Sequence, residues 1–283
     1  MAARFTPQAA AFALLLGALT AFGAPASAQT VTGFTVTGNV SIEHVSLTVN
    51  GPITVSSGGA LTLIGVDLTL APSATQAAAL VVEPGGSIVM ADSTIRAAGA
   101  DPAQAVRVEL RGTARIERSA FYGLAPDTER TAGRALEAGP RVVPGGLLVY
   151  SSEVLLDSVL VRGSLGCGVT VKGASPMLRD LDVSSVAYGE VAGNGYAAAL
   201  CIEGGSPTVE RLRVSTIGSS ARTGLGALTA AGIVADAPVK LTILGLEASN
   251  FAPPLAGLPA PRSIAIAVQD PRSSLCAAAG SKA

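Results

Sequence analysis

Apolar residues recur along this chain in a triplet spaced Φ-x-x-Φ-x-Φ, in which Φ is usually apolar. Most copies follow an alternating apolar pair, such as Val169 and Val171. Alternation with a period of two predicts strands that have one buried face. The triplet occurs eight times, at Ile42/Val45/Leu47, Leu63/Val66/Leu68, Met90/Ser93/Ile95, Ile116/Ser119/Phe121, Leu156/Val159/Val161, Leu178/Leu181/Val183, Val209/Leu212/Val214 and Ile243/Leu246/Ala248.

Two stretches are near duplicates: GVTVKGASPMLRDLDVSS begins at Gly168 and ALCIEGGSPTVERLRVST begins at Ala199. The shortest interval between triplets, from Ile42 to Leu63, is 63 − 42 = 21 residues. This is about the number of residues needed for a rung of three short strands and three turns, with each strand residue covering about 3.3 Å. We therefore predict stacked rungs in which Leu178 lies beneath Val209.

Residues beyond this minimal rung fall in one slot of the repeat, between a triplet and the next apolar pair. These insertions are 97–105, 122–146, 184–199, 215–231 and 249–262. Stacking would place them along one edge, and an edge that carries insertions is often the binding edge of a repeat protein. A β-sandwich is the alternative, but it does not explain one triplet repeated with insertions in a single slot.

The GASPMLRDLDV and GGSPTVERLRV modules resemble the right-handed parallel β-helix repeats of the pectin-lyase-like superfamily. The resemblance implies an all-β, single-stranded, right-handed parallel β-helix of about eight to nine rungs, and it implies secretion. We assign 29–270 to this domain and 271–283 to a C-terminal tail; a ninth unit begins at Ile264. This fold carries lyases, hydrolases, adhesins and inert scaffolds, so the resemblance does not fix the chemistry.

The N-terminus has the features of a secretory signal peptide, predicted over 1–28. Arg4 precedes an apolar run, and Ala-Pro-Ala-Ser-Ala precedes Gln29. The apolar run is shorter than the roughly 20 residues that span a bilayer, which disfavours the alternative of a membrane anchor. We expect a secreted protein that is periplasmic, on the cell surface or extracellular, with no transmembrane segment in the mature chain.

The charge and cysteine content of the chain limit the classes of ligand and metal site that it can have. Without Arg4 the chain has 19 − 1 = 18 basic residues against 20 acidic ones, which excludes a broad basic surface for nucleic acid. Cys167, Cys201 and Cys276 match no metal or redox spacing, and the odd count leaves at least one thiol without an intramolecular partner. Alignment of the two modules places Cys201 opposite Thr170, which leaves the disulfide pairing open.

Outward positions of the triplet form three columns in which the sign of charge alternates, as expected of a solvated ion-pair ladder. The columns are Asp157/Arg179/Glu210, Ser158/Asp180/Arg211 and Asp182/Arg213/Glu247.

The strongest candidate ligand site lies in these columns. Asp180 and Asp182 are the nearest approach to a carboxylate pair, and Arg211 and Arg213 on the next rung would clamp a uronate or sulfate.

Aromatic residues add little to a binding cleft. Tyr188 and Tyr196 share one insertion and form a candidate sugar platform, with pinning of their own loop as the alternative. The single histidine, His44, is predicted to be a solvated surface residue. Glycoside hydrolases of the resembled superfamily have an Asn-Thr-Asp strand, a paired Asp and a Gly-His-Gly, and none of these occurs here.

We therefore predict a secreted non-enzymatic β-helix scaffold that binds polysaccharide or cell-surface glycan through its loop edge, with no cofactor and no metal. The alternative is a carbohydrate-active enzyme, a polysaccharide lyase or glycoside hydrolase acting on acidic polysaccharide. The tail either caps the last rung or leaves an edge for an end-to-end homo-oligomer; both remain open.

Overall fold

The computed structural model describes residues 29–72, 78–98, 106–125, 145–191, 193–221, 224–235, 240–249, 260–268 and 274–277. The predicted signal peptide lies outside this range. The described residues form 24 strands. In chain order they are β1 (Gln29–Val36), β2 (Asn39–Glu43), β3 (Ser46–Val55), β4 (Ala60–Ile64), β5 (Asp67–Ala71), β6 (Ala78–Val82), β7 (Ser87–Ala91), β8 (Thr94–Ala97), β9 (Val106–Leu110), β10 (Thr113–Glu117), β11 (Ala120–Tyr122), β12 (Leu147–Val149), β13 (Val154–Asp157), β14 (Leu160–Arg162), β15 (Cys167–Lys172), β16 (Met177–Val186), β17 (Gly189–Val191), β18 (Asn194–Glu203), β19 (Thr208–Ile217), β20 (Leu228–Ala235), β21 (Lys240–Ile243), β22 (Leu246–Ser249), β23 (Arg262–Val268) and β24 (Ser274–Ala277).

All of these strands except β17, which pairs antiparallel with β18, form three parallel ladders that we call sheets 1, 2 and 3. Sheet 1 contains β2, β4, β7, β10, β13, β16, β19, β21 and β24. Sheet 2 contains β1, β3, β5, β8, β11, β14, β16, β19 and β22. Sheet 3 contains β1, β3, β6, β9, β12, β15, β18, β20 and β23. The chain visits the sheets in this order once per rung, and long strands continue through a corner into a second sheet. This is the predicted all-β parallel β-helix.

The register of sheet 1 confirms that the triplets stack. Leu178 is paired with Val209, as predicted. The first triplet members form one buried column, Ile42, Leu63, Met90, Ile116, Leu156, Leu178, Val209 and Ile243. The apolar pairs stack in the same way on sheet 3, where Leu80 pairs with Val108 and Val82 pairs with Leu110.

The two residues between the first and second Φ make the corner from sheet 1 to sheet 2. The second of them adopts a left-handed backbone conformation, with φ between 45° and 58° at the non-glycine positions. This conformation costs an L-residue roughly 1–2 kcal/mol, and burial of the apolar residues on either side offsets it. The ladder of corner residues is His44, Gly65, Asp92, Arg118, Ser158, Asp180, Arg211 and Gly245.

Two triplets place serine at the buried middle position, and hydrogen bonds make this tolerable. Ser93 Oγ accepts the N–H of Val66 at 3.0 Å and donates to the carbonyl of Ala91 at 2.7 Å. Ser119 Oγ accepts the N–H of Ser93 at 3.2 Å in the same way. The hydroxyls therefore replace backbone acceptors that the corner removes.

Sheet 3 bends outward, because two consecutive residues on several of its strands face the core. Gly168 and Val169 both point inward, and a Cβ at Gly168 would lie 2.3 Å from Val183 Cγ1. A bend of this sense brings together the outward side chains on either side of it. They form a second buried apolar cluster outside the coil, made of Cys167, Ala198, Cys201, Ala231 and Val234.

A disulfide between Cys167 and Cys201 crosses this outer cluster and ties consecutive rungs together. Their Cα atoms are 6.1 Å apart, and both residues are fully buried. Cys201 does pair in register with Thr170, as the module alignment indicates. Cys276 lies in β24 opposite Thr242.

All the predicted insertions leave at one corner, between sheet 2 and sheet 3, which confirms a single insertion edge. Parts of them (99–105, 126–144, 192, 222–223 and 250–259) lie outside the described residues. At the other end of the chain β24 pairs with β21, so sheet 1 continues past the domain boundary predicted at residue 270. Within the described ranges, no helix is long and apolar enough to cross a membrane.

Candidate functional site

The predicted charge columns lie on the solvent faces of sheets 1 and 2, and most of their members form ion pairs. Arg179 Nε donates to Glu210 on one side at 2.8 Å, and Arg179 Nη1 contacts Asp157 on the other at 3.4 Å. The hydrogen bond that Arg179 donates to the Glu210 carboxylate raises the pKa of Arg179. This column is an ion-pair ladder, as its alternating charges indicate.

The corner between sheets 1 and 2 carries two arginine–aspartate forks. Arg118 Nε and Nη2 each donate to one carboxylate oxygen of Asp92 at 2.8 Å. Arg211 forms the same fork with Asp180 one rung below it. Hydrogen bonds from the two guanidinium groups hold the pKa values of Asp92 and Asp180 below their usual range. Both carboxylates are therefore ionised at neutral pH.

Asp182 and Arg213 occupy paired positions on sheet 2, yet they do not form an ion pair with each other. Arg213 Nε contacts Glu247 instead, at a loose 3.7 Å, and its side chain is 68% exposed. The structure thus places the four predicted residues on one surface, but they differ in whether they are paired with one another. Asp180 and Arg211 are bound to each other, whereas Asp182 and Arg213 remain accessible.

The two candidate platform tyrosines differ in exposure. Tyr188 is 2% exposed and belongs to the core, and burial raises the pKa of its phenol. Its Oη has no hydrogen-bond partner among the residues that the structure describes. Tyr196 is half-buried and pairs with Gly189 across the β17–β18 hairpin. Tyr188 presents no ring face to solvent, so it packs under its own loop.

A column that sequence reasoning missed lies on the outer face of sheet 2. Arg96, Tyr122 and Arg162 occupy the same position in three successive rungs. The Arg96 guanidinium lies 5.9 Å from the Tyr122 ring centroid. Tyr122 and Arg162 each stand directly before a Gly (YG and RG), and this recurrence in consecutive rungs is the signal that could have revealed the column.

A second unpredicted cluster lies on the outer face of sheet 3, where residues of one strand alternate outward. Glu109 is buried, and its two carboxylate oxygens lie 2.5 Å from Arg107 Nε and from Arg111 Nη2. Arg111 also covers the ring of Tyr150 at 5.2 Å. Two cations satisfy this carboxylate, which makes the cluster a structural ion triad.

His44 is exposed at the first corner position, where its backbone is left-handed. No group of three or more potential metal ligands occurs within the part of the chain that the structure describes. No family model, curated protein or solved structure matches this chain.

Proposed function

We propose that this protein is an exported, non-enzymatic β-helical scaffold of the pectin-lyase-like type that binds glycan along its insertion edge. The observation that carries the proposal is the fork between Arg211 and Asp180. A general acid needs a carboxyl group whose pKa is raised towards neutrality, and Asp180 is shifted in the opposite direction. The candidate carboxylate pair is thus reduced to one accessible member, Asp182.

Export is supported by the signal-like segment 1–28 and by the disulfide between Cys167 and Cys201. Structural disulfides persist in oxidising compartments and are rare in reducing ones. Mass spectrometry of the protein recovered from the exported fraction is expected to give an N-terminus at Gln29.

Glycan binding is supported by the position of the accessible polar side chains. Asp182, Arg213 and the column of Arg96, Tyr122 and Arg162 share the outer face of sheet 2, next to the corner from which the insertions leave. Binding sites in repeat proteins commonly lie on the face that carries the insertions.

The test is to incubate the mature protein with a panel of acidic and neutral polysaccharides while binding is measured on a glycan array. We expect retention of glycans without new reducing ends or unsaturated products. Product formation that is lost in Asp182→Ala would instead establish the alternative, a polysaccharide lyase or glycoside hydrolase.

A further inference from the structure

Within the part of the chain that the structure describes, Arg162 differs from the other arginines on the outer faces of sheets 1 and 2 in having no carboxylate partner. The other arginines on the outer faces of sheets 1 and 2 and at their shared corner each have a carboxylate within 4.0 Å: Arg96–Asp67, Arg115–Glu117, Arg118–Asp92, Arg179–Glu210, Arg211–Asp180 and Arg213–Glu247. Arg162 is exposed and has no such partner among the described residues. Among the described arginines of these surfaces it is therefore the one without an ion-pair partner, whereas the other six are paired.

The neighbours of Arg162 provide an ordered aromatic ring and hydroxyl groups. Tyr122 lies on the rung below, and Ser184 lies on the rung above. Arg96 covers Tyr122 and is itself held by Asp67, with Nε 3.0 Å from Oδ1. The ring of Tyr122 is thus fixed beside the free guanidinium, and rungs are about 4.8 Å apart.

The same line continues along the solenoid as a row of serines. Ser184, Ser215 and Ser249 follow Arg162 in register on successive rungs. These positions are the last or nearly the last outward ones of sheet 2 before the insertion edge. Ligand contacts on this line would recur at each rung, which suits an extended polymer better than a compact anion.

We propose that Arg162 binds a carboxylate or sulfate carried on a sugar ring of a linear acidic oligosaccharide. A guanidinium fork binds either group through two parallel hydrogen bonds. The sugar ring lies beside Tyr122, and its hydroxyls meet the serine row. This inference rests on the proposed glycan binding and adds the site and the ligand class. Nucleic acid is disfavoured because the mature chain carries 18 basic against 20 acidic residues.

Asp182 sets a limit on affinity at this site. It lies on the same face as Arg162, diagonally across one rung, since Leu160 pairs with Asp182 while Arg162 pairs with Ser184. Diagonal neighbours of this kind are about 7–8 Å apart, so the carboxylate repels an anionic ligand. We expect Asp182→Asn to strengthen binding.

The test is calorimetric titration of the mature protein with a heparin-derived hexasaccharide, hexagalacturonate, neutral cellohexaose and a single-stranded oligonucleotide. The first two separate sulfate from carboxylate recognition. We expect binding of at least one acidic sugar, weakened about 10- to 100-fold by Arg162→Gln and less by Arg162→Lys. Arg115→Gln, a paired exposed arginine, is the matched control and is expected to change affinity less than threefold.

Equal weakening by Arg162→Gln and Arg115→Gln would overturn the site, because general electrostatics would then explain binding. Unchanged affinity in Arg162→Gln would also overturn it but leave glycan binding by the scaffold intact. Binding of cellohexaose or of the oligonucleotide as tight as that of the acidic sugars, or no binding of either acidic sugar, would overturn the ligand class. Cleavage of a probe would overturn the non-enzymatic function and still leave the Arg162 comparison informative.

Discussion

Removal of the disulfide between Cys167 and Cys201 is expected to be a costly change to this fold. The bridge closes a loop with a sequence separation of 34 residues. The chain-entropy relation then gives about 4 kcal/mol of stabilisation at 25 °C, through restriction of the unfolded chain. For a domain of this size, that corresponds to a fall in Tm of roughly 8–16 °C.

The assay is urea unfolding, followed by circular dichroism, of the double variant Cys167→Ala and Cys201→Ala. Cys276→Ala is the matched control, since it removes a thiol and leaves the bridge intact. Reduced wild-type protein separates loss of the cross-link from loss of buried sulfur, because reduction retains both side chains. A double variant within about 0.5 kcal/mol of the control would refute the reasoning, since that is the range of ordinary surface substitutions.

Three further changes test the core and the corner. Phe121→Ala removes a ring that is 0% exposed and is expected to cost about 3–5 kcal/mol in urea unfolding, whereas Val89→Ala, at a 43% exposed position, is expected to cost less than about 1 kcal/mol. Ser93→Ala leaves a buried N–H of the neighbouring rung without its acceptor, and a loss of about 1–3 kcal/mol by the same assay is expected; a neutral effect would contradict the role given to the hydroxyl. Asp180 has a lowered pKa when folded, so its contribution is present above the unfolded value of about 4 and is lost as the pH falls through the folded value. The difference in Tm between wild type and Asp180→Asn is therefore expected at pH 7 and is expected to shrink as the pH falls below about 4, and a difference that stays constant throughout this acid range would rule out the ion pair as its cause.

The stacking of rungs was predictable because alternation with a period of two assigns each triplet residue to a face. Once faces are assigned, a slip of one residue between Leu178 and Val209 would turn one apolar set towards solvent, and the turn at the same place in both modules fixes the rest of the register. The insertion edge follows from the same register. The serines at positions 93 and 119 did not disturb the prediction, because each satisfies its hydroxyl against the neighbouring backbone.

Neither the disulfide nor the pairing of individual arginines was predictable from the sequence. The disulfide depends on a departure from strict alternation, and the pairing depends on side-chain conformation. Cys167 and Cys201 converge only because Gly168 and Val169 face inward together and bend the strand. A small residue followed by a large apolar one, as in Gly168-Val169 and Ala199-Leu200, is the trace of this bend in the sequence. A charge column shows which residues are neighbours but not which carboxylate each arginine contacts. The sequence therefore offered no reason to expect that Arg211 would be tightly paired and Arg213 only loosely paired.

Each rung contacts only the rung above and the rung below it, and this determines how the molecule opens. Amide protons at the two ends of the stack are expected to exchange with solvent first, since fraying there breaks one neighbour contact rather than two. Amide protons in the rungs joined by Cys167 and Cys201 are expected to exchange last, because a cross-link in the interior of the stack opposes opening of the rungs on both sides of it.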